Sequence, residues 1–229
     1  MNAVAARLTE IRARIGEAAA RAGRSPADVR LVAVSKTFPI ELVRAAYDAG
    51  QRDFGENRVQ DALQKIGQSA DMEIRWHLIG HLQSNKARKA AEQVAMIHSI
   101  DSVDLLRRVD AAAAAAGRSI EVLVQADLAL EPTKHGASLD TVPAIFEAAR
   151  HCTAASVVGL MLLPPLAENP EDARPWFRRL REERDRLAGL GVAAPCLREL
   201  SMGMSHDFDV AVEEGATMVR VGTAIFGGR

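Results

Sequence analysis

The chain has 229 residues, 48% of them hydrophobic and 26% charged, and a formal net charge of −1. These values fit one globular domain with a substantial core, and a net charge near zero provides no long-range field that would recruit nucleic acid or an anionic membrane. The two cysteines lack a CxxC spacing and no apolar leader or membrane-length apolar run is seen, so we expect a cytoplasmic protein without a disulfide framework.

The first half of the chain alternates predicted helices and strands. Residues 3–22 carry apolar side chains at spacings of three and four, which predicts an amphipathic helix within an N-terminal segment 1–25. The first four strands are predicted in the segments 31–36, 51–57, 74–80 and 95–100, each followed by a helical segment.

The second half repeats this alternation. Strands five to eight are predicted at 120–128, 156–162, 196–202 and 216–223. Eight strand–helix units imply a parallel sheet, and their number suggests closure into a barrel. The sequence therefore predicts an α/β fold, a single (β/α)8 TIM barrel over residues 1–229 with one extra N-terminal helix packed on it.

Lys36 stands at the end of the first predicted strand, where the apolar run 31–34 stops. Barrels carry their chemistry at the C-terminal ends of the strands. Lysine is rarely buried unless it is paired with an opposite charge or its amine is used in a covalent bond. A desolvated amine has a lowered pKa and forms Schiff bases. The alternative is a lysine that extends from the strand end into solvent.

Two further strand ends offer groups for a phosphate. Barrels often bind phosphate after strands seven and eight, through backbone N–H groups at the start of a short helix. The segment SMGMS (201–205) lies at the end of the seventh predicted strand, and Gly222 and Thr223 lie at the end of the eighth. Each loop alone is better explained by ordinary turn residues, but the two together favour a phosphate site.

Arg220 lies in the apolar segment MVRVG, two residues before Gly222 and on the same face of the strand. A buried guanidinium stays charged and offers only donors, so it requires an acceptor. That acceptor is either a pyridine nitrogen, which Arg220 would keep unprotonated, or a carboxylate such as Glu199. The sequence leaves both open.

A Schiff-base lysine, a phosphate site and an arginine facing a pyridine nitrogen together describe a pyridoxal 5′-phosphate site. Seven segments resemble, in order, the motifs of the pyridoxal phosphate homeostasis protein family. They are LVAVSKTFP, DFGENRVQ, WHLIGHLQSNK, HSID, the loop with Lys134 and Gly136, LSMGMSHDF and VRVGTAIFG. The resemblance extends from about residue 30 to the C-terminus.

The resemblance implies a barrel of the alanine racemase N-terminal domain type that holds pyridoxal 5′-phosphate as an internal aldimine on Lys36. It implies contact between Arg220 and the ring nitrogen. It also implies phosphate contacts and further positions near the cofactor; the phosphate contacts are Ser201, Gly203, Gly222 and Thr223, and the further positions are Asn57 and His77.

Catalysis is less expected than storage. An amino-acid racemase needs a base on each face of the cofactor, and in alanine racemases a tyrosine from a separate C-terminal domain of the partner subunit is the second one. The only tyrosine here is Tyr47, after the first strand, and the sequence ends directly after the eighth strand. We therefore expect a monomeric, non-catalytic carrier that serves pyridoxal phosphate homeostasis and supplies apoenzymes requiring this cofactor.

Two alternatives remain at this stage: a racemase of low activity, and a barrel enzyme that forms a transient Schiff base between Lys36 and a phosphorylated metabolite. A metal site is not predicted, because His77 and His81 have a helical ligand spacing in a segment that is predicted as strand and loop. The basic run at 86–89 lacks the interleaved aromatic residues typical of nucleic-acid binding.

Overall fold

The computed structural model describes residues 3–129 and 135–228. Within them, eight parallel strands form one closed barrel in sequence order, with β8 paired to β1. The strands are β1 (Arg30–Val34), β2 (Asp53–Glu56), β3 (Arg75–Leu78), β4 (Met96–Ile100), β5 (Ile120–Gln125), β6 (Ala155–Met161), β7 (Glu199–Met204) and β8 (Met218–Val221). The prediction of a (β/α)8 barrel is confirmed.

Helices connect the strands around the outside of the barrel. They are α1 (Ala3–Arg21), α2 (Ile40–Asp48), α3 (Val59–Gln68), α4 (Ala87–Ala91), α5 (Val103–Ala115), α6 (Val142–Ala149), α7 (Arg174–Gly189), α8 (Phe208–Glu213) and α9 (Thr223–Phe226). Short 3-10 helices lie at Pro26–Asp28, Ser84–Lys86, Pro170–Ala173 and Ala194–Leu197. No helix in the described ranges is long and apolar enough to cross a bilayer.

Helix α1 precedes the first strand–helix unit, as predicted. Its apolar face belongs to the main hydrophobic core, and the helix contacts α2, α8 and α9. An ion pair from Arg21 to Glu213, at 2.7 Å, adds a polar contact between α1 and α8. The helix is therefore packed on the outer layer of the barrel.

Two apolar clusters flank the strands. The larger one fills the layer between strands and helices. The smaller one is made by strand residues alone: Met96, Leu123, Val158, Met161 and Met218. Because side chains alternate along a strand, Arg220 shares the face of Met218, and this face points into the barrel. The interior thus combines a small apolar cluster with charged and polar side chains.

Strand β7 lies further along the chain than the sequence predicts. Residues 196–202 were expected to form it, whereas Ala194–Leu197 is a 3-10 helix and the strand is Glu199–Met204. Pro195 occupies an early position of that helix, where its fixed φ and missing N–H are favourable. Gly203, which was predicted to follow the strand, is consequently a strand residue.

The N-terminal end of the barrel is closed by a ring of six alternating charges. Its neighbouring pairs are Arg30–Asp53 at 4.0 Å, Asp53–Arg75 at 3.6 Å, Arg75–Glu121 at 3.7 Å, Glu121–Arg198, Arg198–Glu199 at 3.8 Å and Glu199–Arg30 at 3.8 Å. We call this the charge ring. It lies at the opposite end of the barrel from Lys36.

Candidate functional site

Lys36 is presented by a tight turn after β1. The turn is closed by a hydrogen bond from the Phe38 N–H to the Ser35 carbonyl oxygen at 3.0 Å. Its third residue, Thr37, has a φ of 67°, a left-handed conformation that is costly for a β-branched residue. Lys36 itself is half-buried. Within the described residues its amine makes no hydrogen bond or ion pair, so it is available to a ligand.

A buried ion pair between Glu56 and Lys65 fixes the first residue of this turn, Ser35. The Ser35 hydroxyl donates to Glu56 Oε1 at 2.6 Å, and the Lys65 ammonium donates to the same oxygen at 2.6 Å and to the Ser35 carbonyl oxygen at 2.5 Å. Glu56 is fully buried and Lys65 is nearly so. The residue before Lys36 is therefore fixed through both its backbone and its side chain.

Sequence reasoning did not single out Lys65, although its position carried a signal. Lys65 lies on the buried face of α3 together with Val59 and Ala62. A lysine on the apolar face of an amphipathic helix requires a buried acceptor. Glu56, in the motif DFGENRVQ, is that acceptor.

Arg220 is buried in the barrel with neutral partners. One guanidinium nitrogen donates to the Ser201 hydroxyl at 2.6 Å and another to the Leu162 carbonyl oxygen at 2.8 Å. Burial lowers the pKa of Arg220 to about 10, against the opposing effect of the Asp207 carboxylate, so the group stays charged at neutral pH.

The ion pair with Glu199 that the sequence left open is not formed. Glu199 lies in the charge ring and accepts a hydrogen bond from the Thr217 hydroxyl at 2.6 Å. A guanidinium has five N–H donors, and Arg220 uses two of them on neutral acceptors. It therefore has both charge and donors for a further acceptor.

The ends of β7 and β8 bring a hydroxyl and two backbone N–H groups together. The Ser205 hydroxyl accepts from the Gly222 N–H at 3.1 Å and lies 3.5 Å from the Ala224 nitrogen. Gly222 and Thr223 are thus placed as predicted, at the start of α9. Ser205 joins them, although sequence reasoning had noted it only as part of SMGMS.

The other two predicted phosphate contacts have different surroundings. The Ser201 hydroxyl lies in the barrel interior and is held by Arg220 and by His98 Nδ1, at 2.9 Å. Gly203 has a φ of +91°, and a Cβ there would lie 2.5 Å from the Cβ of Ala211. Gly203 therefore allows α8 to approach β7, and the phosphate contacts of Ser201 and Gly203 stay predictions.

Lys36 and the Gly222 group lie at neighbouring strand ends. Val34 ends β1 and Gly222 directly follows the adjacent strand β8, and a Cβ on Gly222 would lie 3.0 Å from the Val34 carbonyl oxygen. Asn57 follows β2 at the same edge of the sheet, half-buried beside a cavity of about 330 Å³ that Arg58, His81 and Lys86 also line.

His77 is not at this edge. Its ring is fully buried in β3, with Nε2 3.0 Å from Asp53 Oδ1 and Nδ1 2.9 Å from His98 Nε2. Both ring nitrogens therefore make hydrogen bonds to protein groups, and the position of His77 near the cofactor stays a prediction. Sequence reasoning quoted His98 only as part of HSID and did not select Asp53. A histidine inside the apolar strand MIHSI was the available signal.

His81, which the motif WHLIGHLQSNK also contains, is separate from this cluster. Lys134 lies outside the described residues. His81 stacks on His135, with ring centroids 3.6 Å apart, and lies 3.6 Å from Asp101, so it does not converge with His77. In the parts of the chain that the structure describes, no group of three or more His, Cys, Asp or Glu side chains is arranged to hold a metal ion.

The donor set suits an anionic aromatic aldehyde. The Lys36 amine is a nucleophile without a partner among the described residues, and the Ser205 hydroxyl, held by the Gly222 N–H at the start of α9, is a donor for an anion. Arg220 has charge and spare donors for a ring nitrogen. These groups meet the chemical requirements of pyridoxal 5′-phosphate.

Comparison with known proteins gives a consistent result. Residues 6–229 match the family model of the alanine racemase N-terminal domain. The pyridoxal phosphate homeostasis protein of Aquifex aeolicus is 44% identical over 224 residues, covering 97% of each chain. That of Pseudomonas aeruginosa is 43% identical over 230 residues, covering 100% of this chain and 97% of the other.

Solved structures extend the comparison. PipY of Synechococcus elongatus with pyridoxal phosphate bound is 40% identical and superimposes with a TM-score of 0.84, covering 98% of this chain and 100% of PipY. An alanine racemase of Clostridium difficile superimposes with a TM-score of 0.78 at 14% identity, and the match covers 57% of the racemase chain. At that identity the racemase shares the fold alone.

Proposed function

Because the chain belongs to the alanine racemase N-terminal domain family, and within it to the pyridoxal phosphate homeostasis proteins, we propose that it binds pyridoxal 5′-phosphate covalently through the Lys36 amine. In this proposal it takes part in intracellular homeostasis of that cofactor. The observation that carries the proposal is the Lys36 amine, which follows the end of β1 beside the end of β8 and has no partner among the described residues.

Each group of the site has a role in this proposal. The Ser205 hydroxyl and the N–H groups at the start of α9, including that of Thr223, bind the phosphate. Arg220 donates to the ring nitrogen, while Ser201 holds the guanidinium and Gly203 fixes α8 against β7. Asn57 borders the site at the end of β2. When bound, the cofactor supplies a reactive aldehyde and an electron-withdrawing ring.

We propose storage and delivery rather than catalysis. An arginine that donates to the ring nitrogen keeps that nitrogen unprotonated and weakens the ring as an electron sink. Tyr47 is also unsuited as a second base, because its hydroxyl lies 3.3 Å from the Glu73 backbone N–H and its ring lies under Arg52. The names of the relatives support the same role. We further propose a monomeric, cytoplasmic, single-domain protein over residues 1–229 that supplies apoenzymes.

The first experiment is the visible absorption spectrum of the purified protein after incubation with pyridoxal 5′-phosphate. We expect a visible band that borohydride reduction removes and that Lys36→Ala abolishes. Lys89→Ala, which removes an exposed lysine of α4, is the matched control and retains the band. A protein that stays colourless contradicts the proposal and favours an enzyme that forms a transient Schiff base with a phosphorylated metabolite. A D-amino acid product would contradict the carrier role.

A further inference from the structure

A continuous line of hydrogen bonds crosses the barrel interior from Arg220 to the charge ring. Arg220 Nη1 lies 2.6 Å from the Ser201 hydroxyl, which lies 2.9 Å from His98 Nδ1. His98 Nε2 lies 2.9 Å from His77 Nδ1, and His77 Nε2 lies 3.0 Å from Asp53 Oδ1. Five strands thus contribute one residue each: β8, β7, β4, β3 and β2.

Because Arg220 can only donate and the Asp53 carboxylate can only accept, all hydrogen bonds in this line point in one direction, from Arg220 to Asp53. Arg220 can only donate, so the Ser201 oxygen accepts from it and the hydroxyl proton is directed to His98 Nδ1. A neutral His98 then carries its proton on Nε2 and donates to His77 Nδ1. His77 likewise carries its proton on Nε2 and donates to the Asp53 carboxylate, which can only accept.

The electrostatics agree with two neutral histidines. Burial lowers the pKa of His77, although the hydrogen bond to Asp53 acts in the opposite direction, and burial with the nearby charges of Arg220 and Arg30 holds the pKa of His98 well below its usual value. Burial alone would raise the pKa of Asp53. The hydrogen bond from His77 and the charges of Arg75 and Arg30 outweigh burial and keep this pKa low.

We propose that Asp53, His77 and His98 are positioning residues for Arg220, and that they fix its guanidinium in the orientation that receives the cofactor ring. With its proton committed to His98, the Ser201 hydroxyl presents only an acceptor to Arg220. This acceptor and the Leu162 carbonyl hold the guanidinium at two nitrogens. The inference rests on the proposed function, because it takes the ring nitrogen as the ligand of Arg220.

The line of hydrogen bonds from Arg220 to Asp53, which we call the relay, can be tested in the protein without cofactor. The ¹⁵N NMR signals of the histidine rings report it. We expect His77 and His98 to carry a proton on Nε2 and none on Nδ1 at neutral pH. Asp53→Asn should change these tautomers, because an asparagine amide can donate to His77 Nε2 and move its proton to Nδ1. Wild-type protein with a proton on Nδ1 of either ring overturns the proposal, even if the variant fails to fold.

Glu121→Gln is the matched control. Glu121 belongs to the same charge ring as Asp53 and pairs with Arg75 and Arg198, but it makes no hydrogen bond to His77. Both variants remove one carboxylate from the ring. Equal tautomer changes in Asp53→Asn and Glu121→Gln would assign the effect to the charge ring as a whole and overturn the relay.

The second measurement is the affinity for pyridoxal 5′-phosphate and the visible band of the loaded protein. We expect Asp53→Asn to weaken the binding of this cofactor by about tenfold, equivalent to about 1.4 kcal/mol, and to shift the visible band, while Glu121→Gln changes neither. Equal affinity and an equal band in both variants would overturn the positioning role. If the wild type binds no pyridoxal 5′-phosphate, the proposed function fails, and the positioning role fails with it, whereas the tautomers of the free protein still decide whether the relay exists.

Discussion

At the scale of single residues, Gly203 shows how closely the site depends on backbone conformation. Its φ of +91° lies in the left-handed region, and a Cβ there would lie 2.5 Å from the Cβ of Ala211 and 3.0 Å from the Cα of Phe208. Both contacts are with α8, which follows the Ser205 segment. Gly203 therefore determines how closely α8 packs against β7. It lies two residues before Ser205, whose hydroxyl accepts from the Gly222 N–H.

We expect Gly203→Ala to lower the free energy of unfolding by about 2–4 kcal/mol, because strain at positive φ and overpacking act together. Urea denaturation measures the effect. Gly67→Ala is the control: Gly67 lies in α3, and a Cβ there meets no heavy atom within 4 Å. The control should stabilise the protein by about 0.5–1 kcal/mol, the helix preference of alanine over glycine. A Gly203→Ala protein as stable as the wild type would refute the packing argument.

At the scale of elements, the ion pair between Glu56 and Lys65 joins three pieces of structure. Glu56 ends β2, Lys65 lies in α3, and both bond to Ser35, which precedes Lys36. Two donors bond to one oxygen of Glu56, while Oε2 is buried without a partner among the described residues, so the loss of either donor leaves this carboxylate with a single hydrogen bond. Ser35, Glu56 and Lys65 therefore depend on one another for their buried hydrogen bonds.

We expect Lys65→Met to cost about 3–5 kcal/mol of unfolding free energy, because it leaves a buried carboxylate without its counter-charge. The double variant Lys65→Met with Glu56→Gln removes both charges, and its cost should be clearly smaller than the sum of the two single costs. Lys89→Met, at an exposed position of α4, should be near neutral. Chemical denaturation of the wild type, the two single variants, the double variant and the control measures the coupling, and additive costs would show that the pair is not a unit.

At the scale of the whole molecule, the barrel has one polar axis. The charge ring closes the N-terminal end, the line from Asp53 to Arg220 crosses the interior, and the Lys36 turn lies at the C-terminal edge. A small cluster of apolar strand side chains shares the interior with this line. Arg220 is a buried cation that contacts no carboxylate among the described residues, and three neutral side chains connect it to the carboxylate of Asp53, which pairs with Arg30 and Arg75.

This axis is also the part of the molecule that sequence reasoning reached least. The barrel itself was predictable, because eight apolar segments alternate with amphipathic ones and short-range periodicity decides each element. Lys36 and Gly222 were predictable as strand ends. The partners of Arg220 and the interior position of His77 were not, because they depend on the register in which five strands meet after closure, which no local pattern encodes. The 3-10 helix at Ala194–Leu197 displaced β7 for a local reason, Pro195.

The buried histidines predict how stability depends on pH. The pKa values of His77 and His98 are lowered in the folded protein, whereas in the unfolded chain these groups titrate near about 6.5. Below that pH the unfolded chain binds more protons than the folded one, so folding free energy is lost as the pH falls. The loss is at most about 1.4 kcal/mol per pH unit for each histidine.

We therefore expect the urea midpoint to be level just above about pH 7 and to fall steadily from about pH 6.5 to about pH 5, before most carboxylates titrate. The pKa of His81 is also lowered by burial, so His98→Gln removes one of three such histidines, and its curve should start lower but fall less steeply than that of the wild type. His151→Gln, at an exposed position after α6, is the matched control and should keep the full slope. If His98→Gln fell as steeply as the control, the acid sensitivity would not come from the centre of the barrel.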